Sequence, residues 1–493
     1  PIVVASITYF LTGHSYEHDE SLLDTLSSHR LRLFVTCYFS LLGGSILLLA
    51  VSEFRPFAYY ALVSLAAVGI LLQIFHSNLR RSHVFVILLQ VSALLLSILW
   101  SVTLNYHYFF GRTDVFPHDQ FMTSLLSANT VTGAFGSYEP FPLFHIFIAF
   151  QEMALGGAVE PLKLFFITTG VLFALLPFVM YALSRRFAFS QRVSLVAALS
   201  MIFNMFVILY GMYAIPRSVT SFLVPFCLLL LVINDRRASV LYVGLLVGIA
   251  IYHTVSLPFL FVIVCCWYVV ERLVALTNIR DEPYSPVVDT WELLAIPVIQ
   301  LTYWTATGSD IMSRLVEMAL EQTNITTERE GAELATQFVA APYSELLNYL
   351  VFGFIVFFVL FAVIQSHRVT DQSSKQNAAL LTALLLAMVS VPGPALLVGA
   401  VSNVTPDMVF RFGQYTYPFV MIAFAAGVVS LAKTSLPVGG QKFKLAVVVL
   451  LVFSAAFLAV SNDFVASDNP LAERENSYSF HLTETETTSF GTI

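Results

Sequence analysis

What most constrains this chain is a recurrence: along its 493 residues, apolar stretches nearly free of charge follow one another with short polar breaks between them. A helix needs about 20 apolar residues to cross the hydrocarbon core of a bilayer. Stretches of that kind occupy 31–52, 57–75, 84–104, 162–183, 193–209, 218–234, 239–253, 254–271, 291–305, 346–365, 378–400, 411–432 and 443–461. Charged residues make up 11% of the chain, against about 25% in soluble domains. The expected fold is therefore an all-α polytopic membrane protein with about thirteen transmembrane helices. The opening run PIVVASITYFL is too short to span and has no basic segment before it, so it reads as part of a cropped first helix rather than a signal peptide. Cys37, Cys227, Cys265 and Cys266 fall inside proposed spans, where thiols act as small apolar side chains, and neither a disulfide framework nor a cysteine metal site is predicted.

Lys and Arg concentrate in cytoplasmic loops. Alternating the loops of a thirteen-span chain puts sixteen of the 24 basic residues on one side, from Arg30 and Arg32 through Arg185, Arg186 and Arg192 to Lys433, Lys442 and Lys444. The opposite, outer face then carries loop 105–161, turn 210–217, loop 306–345, loop 401–410 and the tail 462–493. Loop 306–345 and the tail together hold more negative charge than the net −7 of the whole chain, so the acidity is external and nothing points to nucleic acid. Two sequons, Asn324-Ile325-Thr326 and Asn403-Val404-Thr405, also fall on this outer side.

No internal repeat or low-complexity tract interrupts the pattern. Residues 1–461 form one membrane domain, and 462–493 is an outer polar tail expected to begin a soluble domain. Within loop 306–345, a lid-like excursion, Ile311, Leu315, Met318 and Ala319 recur at helical spacing, as in an amphipathic helix on the interface; a solvated loop is the alternative. Segments 120–128 and 141–155 are too short to cross and predict outer-surface or partly re-entrant helices in the first long loop.

Chemistry is concentrated at the outer mouths. Loop 106–122, YHYFFGRTDVFPHDQFM, places Asp114 and Asp119 five residues apart beyond a span. A partly buried carboxylate there suits a general base toward an acceptor hydroxyl, because burial raises its pKa toward working pH. Asp114, His118 and Asp119, with His107, would alternatively collect a divalent cation, and solvated loop acids are the plain alternative. Glu139, held between Tyr138 and Pro140, is either a second acid or an interfacial charge. Arg217 in GMYAIPRSV and Arg411 in MVFRFGQYTYPF lie at outer helix mouths, where a guanidinium is costly without a partner such as a lipid phosphate; snorkelling to headgroups is the alternative. His253 in IYHTVSLP binds a lipid phosphate or a sugar hydroxyl, or is a satisfied helix-end histidine. No P-loop, Rossmann glycine pattern, nucleophile elbow or HExxH is present, which argues against a nucleotide-driven pump or a nucleotide-sugar transferase.

Taken together, TDVFPHD at 113–119, SYEPFPLFH at 137–145, the outer Arg217 and His253, FRFGQYTYPF at 410–419, and the tail phrases SDNPLAE and LTETE resemble the GT-C superfamily of membrane glycosyltransferases, and its archaeal members in particular. Members of that family use polyprenyl-phosphate-linked sugars. The resemblance implies that Asp114 or Asp119 matches the family's outer-loop acid, as base or metal ligand. It implies that Arg217 and Arg411 hold the lipid phosphate with His253 beside them, and that His118 and His145 give support. The acid loop here follows the third span where the family's usually follows the first, and the oligosaccharyltransferase WWD signature is absent. The function so implied is sugar transfer, inverting, from a polyprenyl-phosphate (dolichol-phosphate) donor to a glycan, lipid or protein acceptor at the outer face of a cell membrane. A divalent cation is the candidate cofactor. The competing readings are a lipid-linked-sugar flippase or transporter, an outer-face glycan ligase or polymerase, and a structural or sensory anchor.

Overall fold

Hydrocarbon offers no hydrogen-bond partner, so backbone that crosses it must satisfy its amides within its own segment, and helices result. The computed structural model describes residues 28–76, 79–106, 108–109, 115–233, 235–276, 286–307, 342–366, 373–395, 397, 406–433, 441–462 and 481–482. The opening run, His107, Asp114, both sequons, and most of loop 306–345 and of the tail lie outside the described residues.

Helices α1 (Ser28–Val51), α2 (Phe57–His76) and α3 (Arg81–Thr103) lead into the first long loop. That loop holds the two-residue strand β1 (Tyr108–Phe109), α4 (Val115–Ala128), a 3-10 turn at Gly136–Tyr138 and α5 (Leu143–Ala154). Then come α6 (Pro161–Ala174), α7 (Leu176–Arg186), α8 (Gln191–Leu199), a 3-10 turn at Ser200–Phe203, and α9 (Met205–Met212). The remaining helices are α10 (Pro216–Ile233), α11 (Arg236–Tyr252), α12 (Ser256–Leu276), α13 (Thr290–Ala306), α14 (Pro342–Ser366), α15 (Ser374–Ser390), α16 (Pro406–Lys433) and α17 (Gln441–Val460), followed by β2 (His481–Leu482).

Each of the thirteen apolar stretches falls on a helix or a pair of helices. Among the described residues nine spans are long and apolar enough to cross a membrane, or ten if a bent pair is one span. The chain is a multi-pass membrane protein. The stretch 162–183 is α6 and α7 run together as a 26-residue span, divided near Leu175 where Pro177 lacks an amide hydrogen. The stretch 193–209 is the bent pair, with a 57° turn. Asn204 accounts for it: its side-chain oxygen accepts from the Phe206 and Val207 amides, at 2.8 and 3.2 Å, and so starts a new helix. Helices α11, α13 and α15 have 17 residues each. That lies at the short end of the range of about 17–25 residues over which helices cross a bilayer.

The two ends of the bundle differ. At one, Arg192 donates to the Ile74 carbonyl at 3.3 Å, and buried Glu271 accepts the Val287 and Val288 amides at 3.0 Å each. Beside it Arg272 donates to the Val288 carbonyl, and Glu292 takes the Asp289 amide to open α13. At the other end the first long loop meets two distant segments. Tyr303, near the end of α13, donates to the Pro140 carbonyl, and β1 pairs antiparallel with β2, Tyr108 opposite Leu482 and Phe109 opposite His481. The tail therefore returns to the loop that carries the candidate acids.

From Arg411 to Lys433 α16 is almost wholly buried, with Phe419, Phe187 and Trp267 of α12 packed as a triangle of rings 5.3–5.5 Å apart, whereas α1 sits at the edge and exposes Phe39, Leu47 and Val51. Gly427 lets α16 approach α14 so closely that a Cβ would meet the Phe358 carbonyl. Backbone cannot swing aside, and overpacking of this kind costs about 1–3 kcal/mol. Gly427→Ala is therefore expected to lower the thermal midpoint of the purified protein, while Gly244→Ala, whose Cβ meets open space on α11, leaves it unchanged or slightly higher. Equal midpoints for the two variants would contradict the close approach.

Candidate functional site

The first long loop folds onto the bundle because α4 is amphipathic. Val115, His118, Met122 and Leu125 recur at spacings of three and four and are buried together. Pro117 lies in the first turn, where its missing amide hydrogen costs nothing. The same periodicity separates neighbours: His118 turns inward, and Asp119, about 100° further round the helix, is only half-buried.

His118 Nδ1 lies 3.0 Å from His145 Nε2 on α5, so one nitrogen donates to the other. The pair sits among aromatic rings, with Phe135 4.7 Å from His145, and Tyr138 and Phe144 5.2 and 6.1 Å from His118. His145 is fully buried, and burial first, then the charge of His118, pushes its pKa down to about 3. It is neutral at physiological pH. On the other face of α4, burial first, then the Glu160 charge, holds the Asp119 carboxyl above the ordinary carboxylate range. The Glu139 carboxylate accepts the Gly133 amide at 3.2 Å within its own turn, with Gly133 at φ +78°, a left-handed position suited to glycine.

Three further groups converge from the bundle. Arg217, in the first turn of α10, lies over the Tyr210 ring at 5.3 Å. Arg411, on α16, is exposed. His253, in the turn between α11 and α12, is buried. Its pKa is held well below the ordinary value, by burial first and then by the charges of Arg217, His118 and Arg411. Those charges come from α10, α4 and α16, so His118, Arg217, His253 and Arg411, far apart in sequence, share one neighbourhood. The structure also adds three residues to it that sequence reasoning did not single out. Thr220, Ser256 and Tyr415 are joined by hydroxyl contacts: Ser256 Oγ lies 2.7 Å from Thr220 Oγ1, 2.8 Å from the Tyr415 hydroxyl and 2.7 Å from His253 Nδ1. The signal for two of them was spacing, since Thr220 follows Arg217 by three residues and Tyr415 follows Arg411 by four, which on a helix puts each on its neighbour's face.

Among the described residues no three His, Cys, Asp or Glu side chains come together to hold a metal ion. Asp114 lies outside them. His118 Nδ1 faces His145 Nε2.

No protein-family model matches this chain, and no curated protein does. Solved structures similar to it include archaeal oligosaccharyltransferases. The Archaeoglobus fulgidus enzyme tethered by a disulfide bond to an acceptor peptide containing the NVT sequon shares 12% identity over 78% of this chain and 55% of that one, with a TM-score of 0.45. Oligosaccharyltransferase AglB of the same organism, in complex with an inhibitory peptide and a dolichol-phosphate, shares 11% identity over 80% and 57%, with a TM-score of 0.46. The chain thus spans little more than half the length of the solved structures to which it is similar.

The buried histidine pair has a pH consequence. A histidine whose folded pKa lies below its unfolded one favours folding fully above the unfolded value, near 6.5, and the gain is lost as pH falls toward about 3. Thermal midpoints measured between pH 7 and pH 4 are expected to drop for the wild type and to drop less for His145→Phe. An identical acid limb in both would show that His145 is not held neutral.

Proposed function

We propose that this protein is a membrane glycosyltransferase that moves a sugar from a polyprenyl-phosphate-linked donor to a glycan, lipid or protein acceptor at the outer face of a cell membrane. The observation that carries this reading is the gathering of two arginines, Arg217 and Arg411, around a neutral His253 and the His118–His145 pair at the end of the bundle that bears the acid loop. Guanidinium groups are permanently charged and fork toward phosphate oxygens, so two of them suit a lipid phosphate. The basic residues of the other end are consistent with an inner face there.

A lipid-phosphate sugar brings its own leaving group, and the protein need supply only a phosphate clamp, a base and orientation. In an inverting displacement the acceptor oxygen bonds to the anomeric carbon from the side opposite the phosphate. The anomeric bond to phosphate breaks with its electron pair on the phosphate, between Arg217 and Arg411. The acceptor's proton passes to a carboxylate, Asp119 or Asp114. Asp119 suits that task because its raised pKa makes it a stronger base near neutral pH. Glu139 acts by holding the turn that presses Tyr138 against His118. No step is assigned to a divalent cation.

The test is transfer of radiolabelled sugar from polyprenyl-phosphate donors in membranes holding the wild type or a variant. Loss of general-base catalysis costs about 10²–10⁴-fold, so Asp119→Asn or Asp114→Asn is expected to abolish turnover with the protein still inserted. Arg217→Gln is expected to raise the donor KM. Full activity in both aspartate variants would remove the base assignment, and a wild type inert with several donors would turn the reading to a lipid-linked-sugar flippase.

A further inference from the structure

The hydroxyl cluster beside His253 settles which of its ring nitrogens carries hydrogen. Thr220, Ser256 and Tyr415 have one hydroxyl hydrogen each to distribute. Thr220 Oγ1 lies 2.9 Å from the Arg217 carbonyl, which can only accept, so the Thr220 hydrogen is spent there. The 2.7 Å contact between Thr220 and Ser256 then requires Ser256 to donate. Ser256 has no second hydrogen, so the Tyr415 hydroxyl donates to it at 2.8 Å. For the same reason the 2.7 Å contact with His253 requires Nδ1–H to donate to Ser256 Oγ. One assignment satisfies these four contacts, leaves only the longest one of the cluster, Thr220 Oγ1 to the Tyr415 hydroxyl at 3.4 Å, without a hydrogen, and puts the lone pair of neutral His253 on Nε2.

Resting on the reading that the donor is a lipid-phosphate sugar, we infer that His253 recognises a hydroxyl of the donor sugar by accepting its hydrogen at Nε2, and that Thr220, Ser256 and Tyr415 are positioning residues that fix this tautomer. A sugar phosphodiester at neutral pH carries no hydrogen on its phosphate oxygens, so an imidazole that can only accept has nothing to bind there, whereas a sugar hydroxyl is a donor. Of the two ligands the sequence left open for His253, the cluster selects the hydroxyl. The surroundings agree with it: burial first, then the charges of Arg217, His118 and Arg411, disfavour a second proton on His253 and so keep it an acceptor while the arginines take the phosphate. His253 thereby reads the sugar and the arginines read the lipid phosphate.

Two measurements on the full chain in lipid nanodiscs test this. Nitrogen-15 NMR of histidine-labelled protein, with His253 assigned by its loss in His253→Gln, is expected to show a protonated Nδ1 and an unprotonated Nε2 in the wild type, and a mixture of tautomers in Ser256→Ala. A protonated Nε2 in the wild type would overturn the assignment. The second measurement is direct binding of polyprenyl phosphate, polyprenyl-phosphate glucose and polyprenyl-phosphate mannose. One of the sugars is expected to bind about tenfold more tightly than the bare phosphate, as one buried hydrogen bond allows. That advantage is lost in His253→Ala and partly restored in His253→Gln, whose carbonyl still accepts, with bare polyprenyl phosphate bound as in the wild type. Arg217→Gln is expected to weaken all three. Equal loss of bare phosphate and sugar-phosphate in His253→Ala would make His253 a phosphate ligand and refute the proposal. Both readouts are independent of turnover, so absence of transfer by the wild type would overturn the enzyme reading alone.

Discussion

A polar group inside hydrocarbon must find its partner within the protein, and that constraint orders the structure. Its first effect is the helical bundle. Its second is that hydrogen-bonding side chains work between helices as well as at their ends. Ser221 on α10 donates to the Gln414 carbonyl of α16, Thr416 on α16 donates to Ser390 on α15, and the Thr220, Ser256 and Tyr415 hydroxyls join α10, α12 and α16 at one point. These contacts define which helices are neighbours where apolar packing alone would tolerate several arrangements. The residues that lock the helices together at that end are the same ones that border the candidate site.

The electrostatics of that end depend on histidines that stay neutral. Arg217 and Arg411 are charged at every accessible pH, and a third and fourth cation beside them would repel both the arginines and each other. Burial and the arginines keep His253 uncharged, and burial and His118 do the same for His145. The result is a division of labour in which fixed positive charge is reserved for two guanidiniums while the imidazoles contribute directional hydrogen bonds. The carboxyl of Asp119 experiences the opposite push, upward, from its own burial and from Glu160.

Much of this was legible in the sequence, and the parts that were not have physical reasons. Apolar runs located the helices because hydrophobicity is a local property. The short helices α4 and α5 were expected close to where they stand, since a run bounded by prolines and too short to cross has few other places to go. The break at Asn204 was hidden because a single asparagine barely changes the average hydropathy of its run, yet its side chain suffices to cap a new helix. The lengths of α11, α13 and α15 are set by caps and turns that hydropathy does not register. His118, Arg217, His253 and Arg411 were singled out one by one, but their convergence, like the pairing of His118 with His145 across 27 residues, is tertiary and left no trace in spacing. The hydroxyls of Thr220, Ser256 and Tyr415 were overlooked because Ser, Thr and Tyr are unremarked in apolar helices until they are seen to touch.

Helix α5 carries His145 on its inward face and Ile146, Phe147, Phe150 and Met153, all exposed, on the other. An amphipathic helix of this kind floats at the depth where its apolar side chains meet acyl chains, and that depth follows the thickness of the bilayer. With its apolar side in acyl chains, such a helix would feel a thinner or thicker membrane on one face and hold the imidazole facing His118 on the other. Bilayer thickness would then act on the geometry of the histidine pair.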